Sequence, residues 1–247
     1  MLILGIDTAT RQLGLALHRD TGLVAELLIA EGLRHCERLL GGLDRLLADL
    51  ELEATAIEGI AVSAGPGSFT GIRIGIAAAQ GLAVALDRPL VGVPTLEALA
   101  AGSGAWRGPV VACLDARRGE VYFCASLSTD DGIRRCGNDL VAPPDRVAEA
   151  LPWSPGTRLC VVGDAGPRVA TALEATGFPV VLAAADARFP RPAHVAALGA
   201  RQLDAGGGTA PHAVEPIYLR RSDAELARPR PGAATRDGGH AAGNEPR

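Results

Sequence analysis

Asp7-Thr8-Ala9-Thr10 follows one apolar run and precedes another, which sets an acid and two hydroxyls at the turn between two strands. In a two-lobed fold such a turn faces nucleotide phosphates: the acid would hold a hydrated magnesium, and the hydroxyls and amides would meet phosphate oxygens. The plainer reading is that Asp7 and Thr8 end a strand and satisfy its turn. Asp115-Ala-Arg-Arg-Gly-Glu120 repeats the placement with less promise for phosphate, because Glu120 adds negative charge. Gly65-Pro-Gly-Ser-Phe-Thr-Gly-Ile-Arg73 invites comparison with a phosphate-cradling loop. A P-loop needs G-x-x-x-x-G-K-[ST], however, and the chain has no Lys. A helix N-terminus here could hold an anion; capping and close backbone packing by small residues is the reading we prefer. His18, His35, His194, His212 and His240 show no metal-ligand spacing, and neither a G-x-S-x-G elbow nor a Ser–His–Asp set emerges.

These residues need elements to position them. Leu2–Asp7, Gln12–His18 and Leu23–Ala30 read as an antiparallel meander of three strands. The period then becomes helical, with Cys36, Leu39, Leu40, Leu43, Leu46, Leu47 and Leu50 on one face. Ile57–Ser63 is a buried strand, the glycine-rich loop opens a second helix ending at Leu86, and Leu90–Val93 is a short strand. The second half starts alike: Val110–Asp115 is an apolar strand ending in an acid, Glu120–Leu127 pairs with it, and Gly132–Leu140 supplies a third. Pro144–Leu151 reads as a short helix, Leu159–Gly163 as a strand, Arg168–Ala175 as a helix and Val180–Ala183 as a strand. A duplicated two-domain α/β fold with a cleft between the copies follows. Arg191–Asp204 is a last amphipathic helix and Pro216–Leu219 is strand-like. The segments are thus a first domain over 1–101, a second over 102–190, a helix and strand over 191–222 that return to the body, and a disordered tail over 223–247.

The second helix is unusual. Between Ile72 and Leu86 only Arg73 and Gln80 are polar, so both its sides need cover, one from its own sheet and the other from the rest of the chain or, the reading we prefer, from a partner subunit. Its charge-free part, Ile74–Leu86, is short against the about 20 residues of a membrane span. Composition excludes other classes. With 48% hydrophobic and 21% charged residues, wholesale disorder is out. A net charge of −4 argues against autonomous nucleic-acid binding. Five cysteines without a C-x-x-C pair fit reduced thiols. Met1–Asp7 lacks the basic segment of a secretory leader, so the expected location is the cytoplasm.

Taken together, Ile6-Asp-Thr-Ala-Thr10, Arg34-His-Cys-Glu-Arg-Leu-Leu40, Ser63-Ala-Gly-Pro-Gly-Ser-Phe-Thr-Gly-Ile-Arg-Ile-Gly75, Val93-Pro-Thr-Leu-Glu97, Asp115–Tyr122 and Ile217-Tyr-Leu-Arg220 resemble the TsaB (YeaZ) family over residues 1 to about 220. The resemblance implies the actin/hexokinase/Hsp70-like (ASKHA) fold of two β-β-β-α-β-α units. It also implies a role in making threonylcarbamoyladenosine beside the tRNA anticodon, as non-catalytic partner of a TsaD-type transferase, with a TsaE-type ATPase assisting. In that catalytic relative two histidines after the second helix bind the metal; here Thr95 and Leu99 stand in their places, which implies a lost transferase site. The implied docking surface is built from the first two helices: Cys36, Leu39, Leu40, Leu43, Ile72, Gly75, Ile76, Ala79, Leu82 and Ala83. No cofactor is implied for the chain itself, ATP and magnesium belonging to the assembled complex. The same resemblance implies that tRNA is reached only through that complex, leaves a homodimer open in the partner's absence, and involves no membrane. The competing reading is an active nucleotide-dependent kinase or ATPase of the same fold, resting on Asp7, Thr8 and the cleft; a metallopeptidase fails for want of ligands.

Overall fold

The computed structural model describes residues 1–30 and 35–220, without the side chains of residues 35–37. The tail expected over 223–247 lies outside the described residues. Strands β1 (Ile3–Asp7), β2 (Leu13–Arg19) and β3 (Gly22–Ile29) form the antiparallel meander. β4 (Gly59–Gly65) lies parallel to β1, and β5 (Leu90–Pro94) parallel to β4, giving the order β3-β2-β1-β4-β5. Every residue of β1 and β4 is buried, which explains why these strands read as unbroken apolar runs rather than alternating ones: both faces of the sheet are covered.

One face carries α1 (His35–Asp49) and α2 (Phe69–Leu86), whose Leu39, Leu43, Ile72 and Ile76 pack with Leu4, Ile6, Leu15 and Val62. The opposite face carries α5 (Pro192–Asp204), which joins Ile3, Ala16, Ala61 and Val91 through Val195, Ala196 and Leu198.

The second sheet has β6 (Gly108–Arg117), β7 (Glu120–Thr129), β8 (Gly132–Arg135), β10 (Leu159–Val162) and β11 (Val180–Leu182) in the order β11-β10-β6-β7-β8, with the short β9 (Leu140–Ala142) pairing β7. Read from β8 inward, this is the order and polarity of the first sheet, since β6 and β7 are antiparallel while β10 runs parallel to β6 and β11. The duplication inferred from two strands ending in Asp7 and Asp115 is therefore a property of the topology. Helix α4 (Gly166–Ala175) and a 3-10 segment, Pro144–Ala150, share a core with one face of this sheet.

The strand expected over 132–140 is two short strands, β8 and β9, each pairing β7, and two further features depart from the expected element list. Thr95–Ala101 is a helix, α3, which the sequence pattern does not announce: it is two turns long, and five of its seven residues are buried. It packs on β6 and β7 of the second sheet through Leu96, Leu99 and Ala100. Each half thus lends a helix to the other's sheet, α3 going forward and α5 coming back. The second departure is Pro216–Leu219, which forms no strand. It is a strap held to the first lobe by one backbone bond, from Ile217 N–H to the Ala64 carbonyl (2.7 Å).

Candidate functional site

Asp7 and Thr8 sit where the sequence puts them, at the end of β1, but the glycine-rich loop closes over them. Thr8 is fully buried and its hydroxyl donates to the Gly71 carbonyl at 2.7 Å. The Ala9 carbonyl accepts from Ser68 N–H (2.7 Å), and Ser68 caps α2 by accepting from Gly71 N–H through its side chain (3.2 Å). A Cβ on Gly67, Gly71 or Gly75 would overlap Ala9 O, Thr8 O and Thr8 Oγ1 respectively. The glycines are there to let α2 touch the turn. Asp7 is 1% exposed, and its Oδ2 and the Ser63 hydroxyl have no hydrogen-bond partner among the described residues. Burial lifts its carboxyl to about 7, opposed in part by the Ala9 amide. A hydrated magnesium needs accessible carboxylate oxygens; this acid has none to offer. The expectation that Asp7 and Thr8 touch a nucleotide is corrected accordingly: the loop packing that the small residues permit has sealed both.

The cleft between the lobes, about 390 Å³, is walled instead by Thr10 and Arg11, the start of α2, Asp115–Arg118, Asp164 and the strap residues Ile217–Arg220. Its acids are engaged. Asp115 accepts from Arg117 N–H (3.1 Å) and Arg168 (2.9 Å), while Asp164 accepts from Asp115 N–H (2.9 Å). Burial raises the Asp164 carboxyl above its usual range. Arg220 bonds Glu120 at 3.1 Å, tying the strap to the second lobe. No nucleophile–base pair converges here among the described residues.

The second candidate is the outer surface of α1 and α2, and here the structure corrects the expected residues. Leu39, Leu43, Ile72, Gly75, Ile76, Ala79 and Ala83 are buried in the chain's own core, and Leu82 is half-buried against it. They face the sheet because the large residues of α2, Ile72 and Ile76, fill the space over Leu4, Ile6 and Val62. Only Leu40 of the expected set stands outward, 53% exposed. The side chain of Cys36 lies outside the described residues. The residues that sequence reasoning missed are the interleaved ones: Ile74, Ala77 and Ala78, which with Leu39, Leu40 and Arg73 line a groove of about 400 Å³ between the helices, and Val84, 70% exposed. A helix apolar all round contains this signal, but nothing in its composition says which side is turned inward. Phe69–Leu86 is also long and apolar enough to cross a bilayer by length and composition, although one side is taken up by the sheet.

Thr95 and Leu99 do structural work. The Thr95 hydroxyl accepts from Gly65 N–H (3.0 Å), and Leu99 packs with Val110 and Leu114. The described cysteines are free thiols; Cys113, Cys124 and Cys160 are buried, and burial pushes Cys124 up to about 11.

Two lobes of one topology, a cleft between them and helices exchanged across it define a duplicated α/β protein of the actin/hexokinase/Hsp70 (ASKHA) class. Residues 30–228 match the family model described as TsaD, tRNA N6-adenosine threonylcarbamoyltransferase. The Bacillus subtilis protein named tRNA threonylcarbamoyladenosine biosynthesis protein TsaB is 31% identical over 233 residues, 91% of this chain and 96% of that protein. Its Escherichia coli namesake is 41% identical over 137 residues, 54% of this chain and 58% of that protein. The solved structure of YeaZ from Pseudomonas aeruginosa matches with a TM-score of 0.78 at 31% identity, covering 88% of this chain and 99% of the other. The chain belongs to the TsaB family.

Proposed function

We propose that this chain is the non-catalytic partner subunit of a TsaD-type transferase in tRNA threonylcarbamoyladenosine synthesis, and that it docks through the outward faces of α1 and α2. The observation that carries the reading is the apolar outer side of α2: Ala77 and Val84 are exposed there, and the half-buried Ile74 and Ala78 line the groove beside the exposed Leu40. An apolar groove on a chain of ordinary composition marks a surface made to be covered. The relatives' names supply the pathway, and the match to the transferase model supports a partner of related fold, whose own first helices would pack against these. Thr95 and Leu99, spent on a loop hydrogen bond and on core packing, support a chain that does not carry out the transfer. ATP and magnesium belong to the assembled complex, as does contact with tRNA. A TsaE-type ATPase joins there, and a homodimer over the same face is the form taken without the partner. The kinase or ATPase reading is not favoured, because the acid it relies on is sealed under the glycine-rich loop.

The test is the light-scattering mass of the protein alone and mixed with the TsaD-type enzyme of the same organism. A defined heteromeric mass is expected. Ala77→Arg, which would bury an unpaired charge on docking, should weaken the complex by about 100-fold or more. A wild-type mixture that elutes as separate components refutes the docking role. Threonylcarbamoyl transfer or sustained ATP turnover by this chain alone refutes the non-catalytic one.

A further inference from the structure

The outward face of α2 carries one charged side chain, and its neighbours hold that side chain in place. Arg73 is exposed and lines the groove beside Leu40, Ile74 and Ala77. Its guanidinium carbon lies 3.8 Å from the centre of the Phe69 ring, and its Nε donates to the Tyr218 hydroxyl at 2.7 Å. Phe69 and Tyr218 stack with centroids 4.9 Å apart and planes at 29°. Tyr218 is anchored in turn, since Ile217 on one side bonds Ala64 and Arg220 on the other bonds Glu120. A surface arginine ordinarily ranges over many rotamers, and ordering it on docking costs conformational entropy. Here that ordering precedes any partner. With Nε taken by Tyr218, the edge formed by the two terminal nitrogens remains for two parallel bonds to one planar anion. Among the described residues no carboxylate forms an ion pair with Arg73.

This charge constrains what covers the groove. An apolar surface laid over Leu40, Ile74 and Ala77 strips water from the adjacent guanidinium, and a charge buried without a counter-ion opposes the association that buried it. We infer that the partner seated on α1 and α2 presents a carboxylate to the terminal nitrogens of Arg73, and that Tyr218 is the positioning residue that aims them. The inference rests on the docking role proposed above and gives it a chemical address: an apolar helical surface bearing an Asp or Glu opposite Arg73.

The affinity of the full-length protein for the TsaD-type subunit of its own organism, measured by calorimetry, tests this. Arg73→Met keeps an unbranched apolar side chain without the charge and should weaken binding by about 30-fold or more. Arg73→Lys, which keeps charge without the fork, should fall between the two. Tyr218→Phe should weaken binding several-fold in the wild-type background and have no further effect in the Arg73→Met background; a merely structural tyrosine would act equally in both. Arg73→Glu should be rescued by one Asp→Arg or Glu→Arg change in the partner. Unchanged melting temperatures identify the variants as folded, as expected for an exposed position. Wild-type binding by Arg73→Met, with binding abolished by Ala77→Arg, overturns the anchor and leaves the docking role standing. Wild-type binding by Ala77→Arg as well overturns the docking role itself. If Arg73→Met abolishes self-association in light scattering but leaves the transferase-type subunit bound, the occupant is a second copy and the inference is wrong.

Discussion

Replacing Asp7 with Asn isolates the cost of a buried, half-satisfied acid. Asp7 has one oxygen near the Ala9 amide and the other without a partner, in a site 1% exposed. Burial raises its carboxyl from 3.8 to about 7. The folded state therefore keeps a proton on Asp7 where the unfolded chain has lost it, so stability falls as pH rises. The contribution is whole below about pH 4, declines between about pH 4 and 7, and is lost above that. About three pH units at 1.36 kcal/mol each make a total near 4 kcal/mol. Between pH 5 and pH 8 the share is about 2–3 kcal/mol. Urea unfolding of the wild type and of Asp7→Asn at those two pH values is the assay. Asparagine does not titrate, so the variant should gain that 2–3 kcal/mol on the wild type between pH 5 and 8, roughly 1 M in midpoint at a slope of about 2–3 kcal/mol/M. Parallel pH dependence in the two proteins would refute the assignment of a neutral buried acid at this turn, and with it the account of the sealed loop.

The remaining predictions concern the same loop and helix. Ile76→Arg should abolish cooperative folding, because the side chain is 4% exposed in the main core; Ala77→Arg, one position on and exposed, should melt like the wild type. Near-equal melting of the two variants would show the inner and outer faces of α2 to be misassigned. Gly71→Ala should cost about 1–3 kcal/mol or more in thermal unfolding, since the added methyl meets the backbone oxygen of Thr8. Thr8→Val should cost about 1–2 kcal/mol through loss of the buried bond to the Gly71 carbonyl, a loss that chemical denaturation would register.

Much of this molecule is legible in one dimension. The apolar runs ending at Asp7 and Asp115 announce two related units, because a parallel strand covered on both faces needs apolar residues throughout. The small residues from Gly65 to Gly75 announce a backbone in close contact with something, and the lack of a polar stripe on α2 announces cover on two sides. Helix α3 stays hidden, because a two-turn helix buried nearly all round has no periodic contrast to show. The exchange of α3 and α5 between the lobes is invisible for a related reason: apolar residues record that they are buried and not against which sheet. The same limit governs the candidate surface. Ile72 and Ile76 on one side and Ile74 and Ala77 on the other are equally apolar letters, and only the position of α2 over Leu4, Ile6 and Val62 turns the first pair inward. Sequence alone established the duplicated α/β class, the family and a helix that is apolar on every side. Tertiary structure alone decided that Asp7 is sealed, that Arg73, Ala77 and Val84 remain exposed, and that Ile74 is half-buried in the groove beside them. Those outcomes depend on which atoms approach one another across gaps of tens of residues, and burial, orphaned oxygens and exposed faces are properties of that approach.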